Sequence, residues 1–106
     1  MNSAGSFFKN PTISIDQFEL LKKQYPSIPS YHVDNQTIKV PAGWLIEQCG
    51  WKGKKSGNIG VHQHQALVLV NYGGGNGKDI FDLAMNISKS VQEKFNIALS
   101  TEVNVI

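Results

Sequence analysis

The first eleven residues of this 106-residue chain crowd polar groups around Ser6, a hydroxyl equally able to serve a site or ordinary structure. It stands in Ala4-Gly5-Ser6-Phe7-Phe8-Lys9-Asn10-Pro11. There a glycine frees the backbone beside a small hydroxyl, Phe7 and Phe8 can anchor it, and Lys9 and Asn10 add a charge and an amide. Polar groups crowded beside a glycine suit a site better than a core. No histidine is adjacent, so a hydrolase nucleophile is unsupported, and a plain turn cap is the alternative reading. The chain begins inside this cluster, which predicts a piece of a larger enzyme cut next to its active site. Near the other end Glu102 sits between Thr101 and Val103 in a strand-like pattern. Its spacing leaves it equally able to face solvent or a site across a sheet.

Other groupings read as structure. His62 and His64 are two apart and share a face on a strand, but no third metal ligand follows at characteristic spacing, so no metal is expected. Gly73 to Lys78 imitates a phosphate-binding loop and fails it. The first glycine of that motif falls on Tyr72, and Asp79 stands where a magnesium-binding Ser or Thr is required. A flexible turn is the preferred reading, with Asn76 or Asp79 capping the helix after it. Lys52, Lys54 and Lys55 can grip a phosphate or form a solvated loop; the solvated loop is preferred. Cys49 ends the apolar run Trp44-Leu45-Ile46 and reads as a buried, inert thiol.

Composition narrows the class. The length fits one domain. A net charge of +2 is too small to imply nucleic acid. No apolar run approaches the roughly 20 residues needed to span a bilayer. No signal peptide pattern opens the chain, and a single cysteine permits a reducing compartment. The expected location is the cytoplasm. All 10 basic residues are lysines. Chemistry on phosphates or carboxylates usually uses the bidentate fork of arginine, so any such arginine must come from elsewhere.

Six elements must position these residues. Ser14-Ile15-Asp16-Gln17 reads as a capping box that starts a helix running to about Gln24, with Ile15, Phe18 and Leu21 on one face. Pro26 and Pro29 end it. Thr37–Val40 reads as a strand. Pro41 opens a second helix whose inner face is Trp44, Leu45 and Cys49, and Gly50 stops it. Gly53–Gly60 reads as a loop, and Val61–Gln65 leads into the strand Ala66–Val70, whose unbroken apolar run implies burial on both faces. A third helix runs from about Lys78 to Phe95 with an apolar stripe of Ile80, Ala84, Ile87, Val91 and Phe95. Alternation of Ile97 and Leu99 (in) with Ala98 and Ser100 (out) predicts a last strand from Asn96 to Ile106. The implied fold class is α+β: a small domain with a mostly antiparallel sheet and helices packed on one face.

Four segments together resemble one known family. They are Ala4–Pro11, Pro41-Ala-Gly-Trp-Leu-Ile-Glu-Gln-Cys-Gly50, Gly60-Val-His-Gln-His-Gln-Ala-Leu-Val-Leu-Val-Asn71 and Val91-Gln-Glu-Lys-Phe-Asn-Ile-Ala-Leu-Ser-Thr-Glu-Val103. In order and spacing the chain resembles the C-terminal, third domain of UDP-N-acetylenolpyruvoylglucosamine reductase (UDP-N-acetylmuramate dehydrogenase). The resemblance implies that residues 1–106 form the substrate-binding domain of a larger flavoenzyme of peptidoglycan synthesis. The domains that bind FAD would then be absent from this chain, as would the catalytic arginine. It implies NADPH as reductant and UDP-N-acetylglucosamine enolpyruvate as substrate. By resemblance Ser6 is the proton donor to substrate carbon and Glu102 the acid beside the reacting group. Asn10 and Gln65 match substrate-binding positions. Lys9 ranks lower, and His64 receives no role. The cofactor-binding residues lie in the parent's other domains, which are the expected partners, and the isolated piece is expected to be inactive. The rival reading, from the residues alone, is a freestanding nucleotide- or RNA-binding module that uses the Lys52–Lys55 loop.

Overall fold

The capping box at Ser14 forms, but only by half. In the computed structural model, which describes residues 2–6, 8–56, 59–61, 68–71, 73–74 and 77–101, Ser14 Oγ accepts a hydrogen bond from Gln17 N at 3.1 Å. This starts helix α1 (Ile15–Gln24). The Gln17 side chain does not return to the cap. Its Nε2 donates to the Asn96 carbonyl at 3.0 Å, so it ties the start of α1 to the end of a helix far along the chain. Phe18 and Leu21 are buried and Ile15 packs against the core, which matches the expected face.

The antiparallel pairing that the sequence suggests is present, and among the described residues it forms two sheets. Strands β2 (Thr12–Ser14), β3 (Tyr31–His32) and β4 (Thr37–Lys39) form one, in the order β2-β4-β3. Strands β1 (Asn2–Ser6), β5 (Lys55–Ser56), β6 (Ile59–Val61) and β7 (Val68–Asn71) form the other, in the order β1-β7-β6-β5. Among the described residues every strand pairing is antiparallel. Helix α1 lies against β2 and β4, and the long helix α3 (Gly77–Phe95) lies against β6 and against α2 (Ala42–Gln48). The class is α+β, with the two sheets joined by one apolar core.

The core follows the helical stripe. Ala84, Ile87 and Val91 are fully buried, Phe95 nearly so, and Leu83 joins them, while Ile80 is half-buried. Leu83, Ile87, Val91 and Phe95 each contribute about 1.5–3 kcal/mol on burial, and this holds α3 in place more firmly than its helix propensity does. In α2 the buried residues are Ala42, Leu45 and Ile46, with Trp44 and Cys49 half-buried. The inner face is thus turned by one position toward Ile46 relative to the sequence reading. Gly50 stops the helix as expected, at φ 82. Its N–H reaches Glu47 O at 2.9 Å and Trp51 N–H reaches Ile46 O at 3.4 Å. This Schellman pair satisfies the last carbonyls and requires a left-handed residue at Gly50.

Two expectations change. The segment Gly53–Gly60 is not wholly loop, because Lys55 pairs with Gly60 and Ser56 with Ile59 as the hairpin β5–β6. Local composition hid this: strand pairing depends on the partner, and Ile59 is buried against the core. The last strand is not a strand over 97–100. The inward and outward alternation does hold, with Ile97 buried, Leu99 half-buried, and Ala98 and Ser100 exposed. A backbone bond from Lys9 N to Ser100 O at 2.8 Å and one bridge, Phe8 to Thr101, replace a ladder. Residues 102–106 lie outside the described residues, as do His62–Gln65 and the first half of Ala66–Val70.

Candidate functional site

Ser6 ends an edge strand, and the strand is irregular just before it. Along β1, Asn2 faces Asn71 and Ser3 faces Val70, but Ser6 faces Val68. Three steps on β1 therefore match two on β7, so one extra residue is accommodated at Ala4–Gly5. Such a bulge twists the strand and changes which face the following residue presents. Gly5 makes it cheap, since it carries no side chain to obstruct the bend. The described part of Ser6 is its backbone, which lies beside the central strand β7.

The chain leaves Ser6 through a firm anchor. Phe8 is almost completely buried, as the sequence suggests for one of the two phenylalanines; Phe7 lies outside the described residues. Phe8 bridges to Thr101, and Lys9 N–H bonds the Ser100 carbonyl. The residue preceding Glu102 is thus held opposite a position two residues past Ser6. Glu102 and Gln65 themselves lie outside the described residues. What the fold brings together is the chain on either side of the two catalytic candidates.

Asn10 has a definite partner. Its Oδ1 accepts a hydrogen bond from Ala42 N at 2.9 Å, between residues 32 apart in sequence. Ala42 is the first residue of α2, and Pro41 before it provides no side-chain cap. Asn10 therefore satisfies one of the backbone N–H groups that a helix start leaves open. This bond uses the side-chain oxygen and not the amide nitrogen, and the residue as a whole is exposed. The sequence carried a signal for this bond, unused above: a helix opening on Pro41 with no Ser, Thr, Asp or Asn beside it needs a cap from elsewhere.

The lysine loop is largely engaged with its own chain. Lys52 Nζ lies 3.5 Å from Glu47 Oε1, and Lys54 Nζ lies 4.7 Å from the centre of the Trp51 ring. A phosphate would have to compete with both contacts. Cys49 is half-buried; burial pushes its thiol up, against the opposing pull of the Lys94 ammonium. A raised thiol is a poor nucleophile, in line with the inert reading. Among the described residues no three His, Cys, Asp or Glu side chains converge as metal ligands. No described helix is long and apolar enough to cross a membrane. The cavities along α3, one beside Met85 and Leu99 and one beside Cys49 and Lys94, are surface grooves with no cradle of glycines for a dinucleotide. The described residues do not fit FAD.

Comparison with known proteins decides the family. The family described as UDP-N-acetylenolpyruvoylglucosamine reductase, C-terminal domain, matches residues 1–106. The chain belongs to that family. The UDP-N-acetylenolpyruvoylglucosamine reductase of Porphyromonas gingivalis is 55% identical over 106 residues, covering 100% of this chain and 31% of the relative. That of Bacteroides fragilis is 51% identical over 106 residues, covering 100% of the chain and 32% of the relative. That of Pseudomonas syringae pv. syringae is 45% identical over 105 residues, covering 99% and 31%. The chain therefore spans about a third of the length of these curated relatives. The relatives are named as reductases, and this chain corresponds to the C-terminal domain of such a reductase.

Proposed function

We propose that the chain is the substrate-binding C-terminal domain of a cytoplasmic reductase that converts UDP-N-acetylglucosamine enolpyruvate to UDP-N-acetylmuramate for peptidoglycan synthesis. The observation that carries this reading is the family match over the whole chain. The geometry supports it at one point: the Phe8–Thr101 bridge joins the segment after Ser6 to the segment before Glu102. In this reading NADPH would be the reductant, and FAD, held by other domains of the parent, would supply the hydride that reduces the enolpyruvyl double bond.

The work of this chain is then proton delivery and substrate placement. Negative charge develops at C2 as C3 is reduced. The Ser6 hydroxyl gives its proton to C2, a C–H bond forms as the O–H bond breaks, and the lactyl ether results. The serine oxygen regains a proton from solvent at the end of the turnover. A hydroxyl is a weak acid in water, but a carbanion in a site closed to water is basic enough to take its proton. Glu102 sits beside the reacting group and stabilises or protonates the intermediate together with an arginine from the parent. Gln65 and the amide nitrogen of Asn10 contact the UDP-sugar. The isolated domain, holding only part of the pocket, is inactive and binds UDP-sugar weakly.

Ser6→Ala in the full-length parent tests this. Reduction of bound flavin by NADPH should proceed at the wild-type rate, while turnover of the enolpyruvyl sugar should fall by at least about 100-fold, the lower range for loss of a general acid. Unimpaired turnover would remove Ser6 from its role.

A further inference from the structure

The hydrogen bond between Asn10 and Ala42 closes the end of a zipper. From its far end, Ser14 pairs with Thr37, Ile13 with Ile38 and Thr12 with Lys39 in the β2–β4 ladder. Val40 N–H then bonds the Pro11 carbonyl at 2.9 Å, and Asn10 Oδ1 takes the Ala42 N–H at 2.9 Å. On its other side Asn10 adjoins Lys9, whose N–H bonds Ser100 O. Asn10 therefore occupies the corner at which the chain leaves the segment 100–101 and turns into the β2 sheet. Phe8 and Ile13 are buried and Pro11 is half-buried, while Lys9 and Asn10 are exposed. Phe8 anchors one side of the corner by apolar packing, and the exposed Lys9 and Asn10 between Phe8 and Pro11 are tied by hydrogen bonds. Pro41 can neither cap α2 with its side chain nor donate an N–H, which leaves Ala42 to be satisfied by Asn10.

We propose that Asn10 is a positioning residue for the segment that carries Ser6: its Oδ1 clamps the 8–11 corner to the start of α2 and so fixes where β1 ends. The role deepens the reading given under Proposed function and rests on it for its kinetic consequence. It divides the side chain in two. Oδ1 belongs to the fold, and only the amide nitrogen is left for substrate. The sequence resemblance had placed Asn10 among substrate contacts alone.

Two variants of the full-length parent separate the two halves. Asn10→Asp keeps an oxygen acceptor at Ala42 and loses the amide donor. Asn10→Ala loses both. Hydrogen exchange at the Ala42 amide should quicken by about fivefold in Asn10→Ala, the fold-change that corresponds to the typical cost of losing a cap, and stay near the wild-type rate in Asn10→Asp. With saturating enolpyruvyl sugar, Asn10→Ala should lower kcat by about tenfold or more, since a displacement of about 1 Å at a reacting group can cost on the order of 100-fold. Flavin reduction by NADPH should not change. Asn10→Asp should recover kcat toward wild type while KM remains raised. Equal loss of kcat in both variants, with Ala42 still protected in Asn10→Asp, would overturn the positioning role. So would unchanged exchange at Ala42 in Asn10→Ala. A wild-type parent that reduced no enolpyruvyl sugar would defeat the functional reading instead, and the exchange measurements would still decide the clamp.

Discussion

Removal of the Phe95 ring tests how the three helices are held together. Phe95 is 2% exposed and is the last residue of α3. Its ring centre lies 5.0 Å from that of Tyr25, just after α1. It lies 5.8 Å from that of Trp44 in α2. Phe95→Ala removes a full side chain from the meeting point of three elements. Loss of transfer energy and the residual cavity together cost about 3–5 kcal/mol. Better helix propensity of alanine returns about 0.5 kcal/mol, too little to offset the loss. Phe95→Leu keeps most of the volume and deletes only the two ring pairs, each worth about 0.5–1.5 kcal/mol, for a total of about 1–3 kcal/mol. A domain of this size has about 5–15 kcal/mol of stability in all, so the alanine variant should stay folded in the cold and melt early. At about 4 °C per kcal/mol, its Tm should fall by roughly 12–20 °C, and that of the leucine variant by roughly 4–12 °C. Urea unfolding followed by tryptophan fluorescence provides the free energies. A cost below about 1 kcal/mol for Phe95→Ala would refute the packing argument. A leucine variant as stable as wild type would refute the separate contribution of ring geometry, and equal costs for alanine and leucine would refute the contribution of volume. The effect should also reach the site, because Phe95 leads directly into the segment 97–101 that pairs with Phe8 and Lys9.

Further outcomes follow from single groups. Gly50→Ala should cost about 1–2 kcal/mol in urea unfolding. No atom lies within 4 Å of an added Cβ and φ is 82, so the cost is conformational; Gly50→Asn should cost less because asparagine tolerates the left-handed region. The Asp34 carboxyl is held below its usual range by hydrogen bonds from Gln36 N–H, from the Thr37 hydroxyl and from Thr37 N–H. A depressed folded value means that its stabilisation is complete above the unfolded value of about 3.9 and disappears as pH falls through the lower folded value. Unfolding at pH 6 should therefore distinguish wild type from Asp34→Ala, and the difference should vanish at the acid end of the series. The Cys49 thiol should react with a disulfide reagent at pH 8 more slowly than a free cysteine, and Lys94→Gln should slow it further by removing the charge that opposes the effect of burial.

The legible parts of this protein are those governed by neighbours within a helical turn or a strand repeat. Ser14 sets the start of α1 and Gly50 the end of α2. The stripe from Ile80 to Phe95 faces inward as its 3.6-residue period requires, and residues 97–100 alternate as their twofold period requires. The order of residues also carried the family. Four separated segments carried it, in order and at matching separations.

Tertiary structure alone decided the rest, for the same reason each time: the partner lies far away in sequence. Gln17 has the ideal spacing for a capping box and instead bonds the Asn96 carbonyl, 79 residues on. Asn10 reads as a ligand-facing amide, yet commits its oxygen to Ala42, 32 residues on. The extra residue at Ala4–Gly5 is visible only against the register of β7. Lys55 and Ser56 look like loop until Ile59 and Gly60 fold back on them. By itself the sequence determined which residues are apolar, where helices begin and stop, and which family the chain resembles. Which side chains meet was decided by the packed core, because burying that apolar surface sets the approach of distant segments, and only then do the hydrogen bonds of Asn10, Gln17 and Lys9 find their partners.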